Sequence, residues 1–228
     1  MPTKFSKYQI ATAVAVLFHT IGLIGIVFFK SNFILLATPA NLLLMFVLLI
    51  WTQEKKNYSF WLFIALTVVL GIAIEIIGVN TKLLFGDYTY GNVLGFKIKS
   101  VPLIIGVNWF IIIYCCGISI NTLLMKAINK IAAETATAPT ALKALSVIVD
   151  GATLAVFFDW LMEPVAVQLG YWKWAGQIPF YNYLCWFTFS MVLLGIFHVL
   201  QFNKQNKFAI HLLMIQVMFF LLLQTFFK

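Results

Sequence analysis

The chain has 228 residues, of which 63% are hydrophobic and only 10% charged, and its mean hydropathy is +1.00. A soluble domain carries roughly 25% charged residues, so the composition excludes a cytosolic enzyme with a Rossmann core, a disulfide-stapled secreted module and a disordered regulator. It predicts one all-α unit over residues 1–228: a polytopic membrane helix bundle of about seven transmembrane helices.

The net charge of +8 comes from 15 basic and 7 acidic residues, and every basic residue is a lysine. Nucleic-acid recognition leans on arginine forks and a basic folded face, so no nucleic-acid partner is expected. The lysines fall in short gaps between apolar runs, as membrane flanks do, and anionic lipid is their natural partner. Cys115, Cys116 and Cys185 form no C-x-x-C pair and read as small buried hydrophobes rather than zinc or redox ligands.

Crossing about 30 Å of hydrocarbon takes about 20 residues. Seven stretches qualify in chain order: Tyr8–Phe29, Phe33–Trp51, Tyr58–Val79, Val101–Met125, Ala141–Met162, Tyr181–Gln201 and Phe208–Phe227. Lys4 and Lys7 resemble a signal-peptide flank, but the first run is long and lacks a cleavage pattern, so it reads as a retained helix. Ala132–Thr140, with Pro139, is the one linker-like stretch. Nine lysines against six favour a cytoplasmic amino terminus. With seven spans, the connections after the third and fifth lie on the same side of the membrane. These are the two long, aromatic-rich ones, Asn80–Ser100 and Glu163–Phe180, which places the functional end there.

Ionisable residues at membrane depth are costly and mark functional sites by default. Glu54 and Glu134 read as solvated charges, and Asp87 lies in the first long loop. Asp159 and Glu163 are four apart and share a helix face, while Glu75 sits near the same membrane end of the third span. Asp150 lies nine residues before Asp159, half a turn off that face, and is either a packing partner or a deep proton donor. A carboxyl in an apolar pocket can stay protonated and donate. Around the cluster are Tyr88, Tyr90, Trp109, Trp160, Tyr171, Trp172, Trp174, Tyr181, Tyr183 and Trp186. These rings form either an interfacial belt or a lining that faces a carbocation. Asn108 and Asn182 are placed to orient water. His19, His198 and His211 show no metal-ligand spacing, and no nucleotide loop or nucleophile elbow is present.

At these residues the sequence resembles the carotenoid-biosynthesis membrane family that contains the carotenoid 1,2-hydratases, the bisanhydrobacterioruberin hydratases and γ-carotene 1′-hydroxylases among them. The resemblance rests on Glu75-Ile-Ile-Gly78, Phe85-Gly-Asp-Tyr88-Thr-Tyr90, Leu94-Gly95, Val101-Pro102 with Asn108-Trp109, Asp159-Trp-Leu-Met-Glu163-Pro-Val-Ala166, Tyr171-Trp-Lys-Trp174 and Ile178-Pro-Phe-Tyr-Asn182-Tyr-Leu-Cys-Trp186-Phe187. It covers roughly residues 70–190, and two positions depart from the pattern: Lys82 after Thr81, and Cys185 before Trp186, where glycines are common. The resemblance implies hydration of the terminal C1–C2 double bond of a linear or monocyclic carotenoid, with no metal or redox cofactor. Glu75 or Glu163 would act as acid and Asp159 as base. Tyr88, Tyr90, Asn108, Trp109, Asp150, Trp172, Trp174, Asn182 and Trp186 would hold substrate or water. The implied setting is a bacterial or archaeal cytoplasmic membrane, with carotenoid, lipid and other carotenoid-biosynthesis enzymes as partners. Two other readings stay open: a lycopene-cyclase type that quenches the same cation internally, and a proton-coupled transporter with Glu75 and Asp159 as relay.

Overall fold

The computed structural model describes residues 5–132 and 140–227. Lys4, Glu134, Lys228 and residues 133–139 of the linker-like stretch lie outside them. The first helix, α1 (Lys7–Val27), opens on a capping box in which the Ser6 side chain accepts from the Gln9 N–H and the Gln9 side chain accepts from the Ser6 N–H. A five-residue helix, α2 (Asn32–Leu36), and α3 (Thr38–Thr52) follow, then α4 (Tyr58–Thr81). Three short strands, β1 (Tyr88–Tyr90), β2 (Lys97–Ile98) and β3 (Val101–Pro102), lead into α5 (Ile104–Ala132) and α6 (Thr140–Gln168). The chain ends through β4 (Trp172–Trp174), α7 (Phe180–Val199) and α8 (Lys207–Phe226).

Among the described residues, six helices are long and apolar enough to cross a membrane: α1, α4, α5, α6, α7 and α8. The all-α polytopic bundle is therefore observed, but the stretch Phe33–Trp51 is two helices rather than one continuous span. Pro39 lies in the first turn of α3 and has no N–H to give to the Leu35 carbonyl, so the helical ladder cannot run through. Ala37 accordingly closes α2 and opens α3. At 15 residues, α3 covers about 22 Å along its axis.

Helix α5 is the centre of the bundle, packed against α3, α4, α6, α7 and α8. At the end that carries Lys55, Lys56, Lys204 and Lys207, polar side chains pin the helices together. The Tyr114 hydroxyl donates to Gln53 Oε1 at 2.5 Å, Gln53 Nε2 donates to the Asn203 carbonyl at 2.7 Å, and Asn206 Nδ2 donates to Thr52 Oγ1 at 3.1 Å. With no water in the hydrocarbon, such groups must find partners within the protein.

The opposite end is built differently. Strand β1 pairs antiparallel with β4, with Tyr88 opposite Trp174 and Tyr90 opposite Trp172. The connections after α4 and α6 thus meet at one end of the bundle, as the topology required. Beside them β2 and β3 form a hairpin in which Ile98 faces Val101. Lys99 and Ser100 turn it at φ of 46° and 69°, the pair of positive angles a two-residue hairpin loop demands.

Candidate active site

Three carboxyls meet beneath the β1–β4 ribbon. Glu75 is 4% exposed, Asp159 1% and Glu163 3%, so none is solvated by bulk water. They line one cavity together with Tyr88, Tyr90, Asn108, Trp109, Trp172, Trp174, Asn182 and Trp186. The free volume within it is ≈ 30 Å³, room for about two water molecules. The lining includes no lysine or histidine.

Each carboxyl is held by its own donors. Glu75 Oε1 accepts from Trp109 Nε1 at 3.0 Å, and Oε2 accepts from the hydroxyls of Tyr88 at 2.5 Å and Tyr90 at 2.8 Å. Burial and the adjacent Glu75 charge push both phenols far above the usual tyrosine range, which keeps them as O–H donors. Glu163 Oε2 accepts from Trp172 Nε1 at 2.9 Å and Trp174 Nε1 at 3.0 Å. Those two indoles point the same way because they are two apart on a strand, with Lys173 facing out between them. Asp159 Oδ2 accepts from Asn182 Nδ2 at 2.9 Å, while Asp159 Oδ1 is buried without a partner.

Aromatic packing fixes the walls. Trp109 and Trp186 stack at 4.0 Å with 11° between their planes, and Tyr88 lies 5.0 Å from Trp174. Helix α4 makes room for this by presenting Gly71, Glu75 and Gly78 on one face. A Cβ at Gly71 would sit 2.7 Å from Trp109 Cγ, and one at Gly78 would sit 2.9 Å from Phe85 Cδ2. Glycine is the residue that lets the ring and the helix backbone come this close.

The two departures from the family pattern both lie at this end. Lys82 closes α4 in the left-handed region, φ 59°, where glycine is the unstrained choice, and its ammonium pairs with Asp87 at 2.6 Å. Cys185 is buried, and its Sγ accepts from the Phe85 N–H at 3.4 Å. It ties the first loop to α7 instead of leaving a gap.

One expected site residue is elsewhere. Asp150 is exposed on the far side of α6 and takes a hydrogen bond from Ser146, because nine residues turn a helix through two and a half turns. Of the ten aromatics flagged in the sequence, six line the cavity. Trp160 and Tyr181 are 54% and 45% exposed, as belt residues are. Tyr183 is half-buried, and Tyr171 pairs its hydroxyl with Thr38 Oγ1 at 2.9 Å. Glu54 accepts from the Tyr8 hydroxyl at the lysine-rich end. Phe85, Ile105 and Met162 also line the cavity; as plain apolar residues they carry no chemical signature in a sequence this hydrophobic. Among the described residues, no three His, Cys, Asp or Glu side chains are grouped to hold a metal ion.

Six long apolar helices around a buried acidic and aromatic cavity define an integral, multi-pass membrane protein with a chemically equipped interior. A family model described as carotenoid biosynthesis protein matches residues 8–228. The chain belongs to that family, and its role lies in carotenoid biosynthesis. No curated protein and no solved structure matches it.

Proposed function

We propose that the protein is a carotenoid hydratase, adding water across the terminal C1–C2 double bond of a linear or monocyclic carotenoid. The observation that carries this reading is the cavity itself. Three carboxyls and four tryptophans face a space of two-water size with no basic side chain among them. Such a lining favours positive charge, through the carboxylates and the π faces, and it has room for the water that captures it. The family's role in carotenoid biosynthesis supplies the substrate class.

The hydrogen bonds favour a division of labour among the carboxyls. Glu75 is surrounded by three donors, an environment that suits a carboxylate and leaves no acceptor for a proton of its own. Asp159 Oδ1 has no donor facing it. A buried carboxylate oxygen without a partner is costly, so Asp159 is the carboxyl best suited to carry the proton. This reverses the order the family resemblance suggested. Asp159 gives its proton to C2 as the π bond breaks, which leaves a tertiary cation at C1. Glu75 and the indole faces stabilise that cation. Glu163, oriented by Trp172 and Trp174, takes a proton from water as the oxygen bonds to C1, and a tertiary alcohol results. Glu163 then passes that proton to Asp159, one helical turn away, which resets both carboxyls, and no electrons are exchanged.

The test is expression in a lycopene- or γ-carotene-producing bacterium, with pigment mass spectrometry in labelled water. Hydration adds one water whose oxygen comes from solvent, with solvent hydrogen at the adjacent carbon. A product of unchanged mass with a new ring would make the protein a cyclase. Oxygen derived from O₂ would make it a monooxygenase, and an unaltered pigment would end the enzymatic reading. Asp159→Asn removes the transferable proton at constant shape and should slow hydration about 10²–10⁴-fold.

A further inference from the structure

A second cavity lies beside the middle of α1 and α8, under the break between α2 and α3. It encloses ≈ 390 Å³, within the roughly 300–1,000 Å³ typical of small-molecule sites. Its walls are largely apolar, with Phe33, Phe219 and Phe220 among them, and it is open to the lipid side of the bundle. Five polar side chains line it: His19 of α1, Thr38 and Asn41 of α3, Tyr171 just before β4 and Gln216 of α8.

Two of these present acceptors that the protein leaves unmet. Asn41 Oδ1 is buried against the protein with no hydrogen-bond partner, and a half-turn of the amide about its soft terminal torsion brings this oxygen to the cavity face. His19 Nδ1 lies 2.8 Å from the Ala15 carbonyl, which obliges Nδ1 to be the donor and leaves Nε2 as an acceptor in the neutral ring. Buried acceptors at membrane depth call for a donor. An acyl tail or a pure hydrocarbon has none to offer; a lipid-soluble alcohol does.

The cavity also touches the carboxyl site. Tyr171 lines it, and the next residue, Trp172, lines the carboxyl cavity, so this stretch of chain is part of the wall between the two. The hydroxyl pair of Tyr171 and Thr38 stands at that wall, at the α2–α3 break. We propose that this second cavity binds an isoprenoid chain that carries a hydroxyl at its end, with Asn41 Oδ1 accepting that hydroxyl. Its natural occupant is then the tertiary alcohol leaving the carboxyl cavity, an assignment that rests on the hydration reading.

Binding to the purified full-length protein in lipid nanodiscs tests this without turnover. The probes are lycopene and its 1-hydroxy derivative, read by tryptophan quenching and visible-region circular dichroism. Asn41→Leu removes the acceptor and keeps the branched, four-heavy-atom outline of the side chain. It should weaken the alcohol about 2- to 12-fold, as one lost hydrogen bond does, and leave the hydrocarbon unchanged. Gly22→Leu fills the cavity, and the position has space, since a Cβ there meets only Phe219 at 3.6 Å; it should weaken the alcohol about 10-fold or more. Equal effects of Asn41→Leu on both probes, or none on either, would overturn the hydroxyl assignment. Unchanged alcohol binding in Gly22→Leu would overturn the cavity. Absence of hydration in the pigment assay with these binding effects intact would sink the reaction and leave the binding site standing.

Discussion

Glu75→Gln separates the charge of this carboxyl from its shape. Its two oxygens take three donors, Trp109 at one and Tyr88 with Tyr90 at the other. A carboxamide offers one oxygen and one NH₂. Set to keep the tyrosines, it turns the NH₂ toward the Trp109 N–H; set the other way, it faces two phenols. Either way at least one charge-assisted bond is lost, about 1.5–3 kcal/mol, and this falls on stability. On the proposed hydration reading, the catalytic loss is separate. A carboxylate about 6 Å from a unit cation, at an effective dielectric of about 20, stabilises it by about 2.8 kcal/mol, or about 100-fold in rate. The assay is initial-rate hydration in isolated membranes, normalised to inserted protein, with thermal unfolding in detergent measured beside it. A variant destabilised as expected but hydrating within about threefold of the parent would show that the Glu75 charge does not act on the cation.

Asp150→Asn should leave hydration unchanged and stability within about 0.5 kcal/mol, measured in the same two assays; a loss like that of Asp159→Asn would return Asp150 to the chemistry. Gly71→Ala places a Cβ 2.7 Å from Trp109 Cγ, so the ring must shift from Glu75, with a cost of about 1–3 kcal/mol and a slower reaction; an unshifted melting temperature at full rate would contradict the packing. Single cysteines introduced at Asp87 and Lys173 into a cysteine-free background should react with an impermeant thiol reagent from the same side of the membrane, and labelling from opposite sides would break the β1–β4 pairing.

Glu75, Asp159 and Glu163 were legible in the sequence because charge is expensive in hydrocarbon, so each acidic residue inside an apolar run already demands a reason. The shared side of the two aromatic loops followed from counting spans. What was not legible is non-local. The pairing of Tyr88 with Trp174 joins residues far apart in the chain, and no local pattern announces a three-residue strand. The division of Phe33–Trp51 was masked by hydropathy, which counts Pro39 as one residue among many although its missing N–H decides the ladder. The choice of proton donor depended on which oxygen of Asp159 lacks a partner, a fact that exists only once Asn182 and the cavity are in place. The nine-residue spacing already set Asp150 half a turn off the face of Asp159, but not that this other face looks outward, where Asp150 is exposed.

The β1–β4 ribbon also sets an order of assembly during synthesis. The Glu75 half of the site is complete early: Tyr88, Tyr90 and Trp109 all follow it within 34 positions of the chain. Trp174 leaves the ribosome 86 positions after the Tyr88 it pairs with, an interval of roughly 4–17 s at bacterial elongation rates of 5–20 residues per second. Through that interval Glu75 already has its donors, whereas Glu163, once made, waits for its indoles and Asp159 waits longer still for Asn182. A chain halted just after α6 would carry one satisfied carboxyl, Glu75, and two, Asp159 and Glu163, still without their donors at membrane depth.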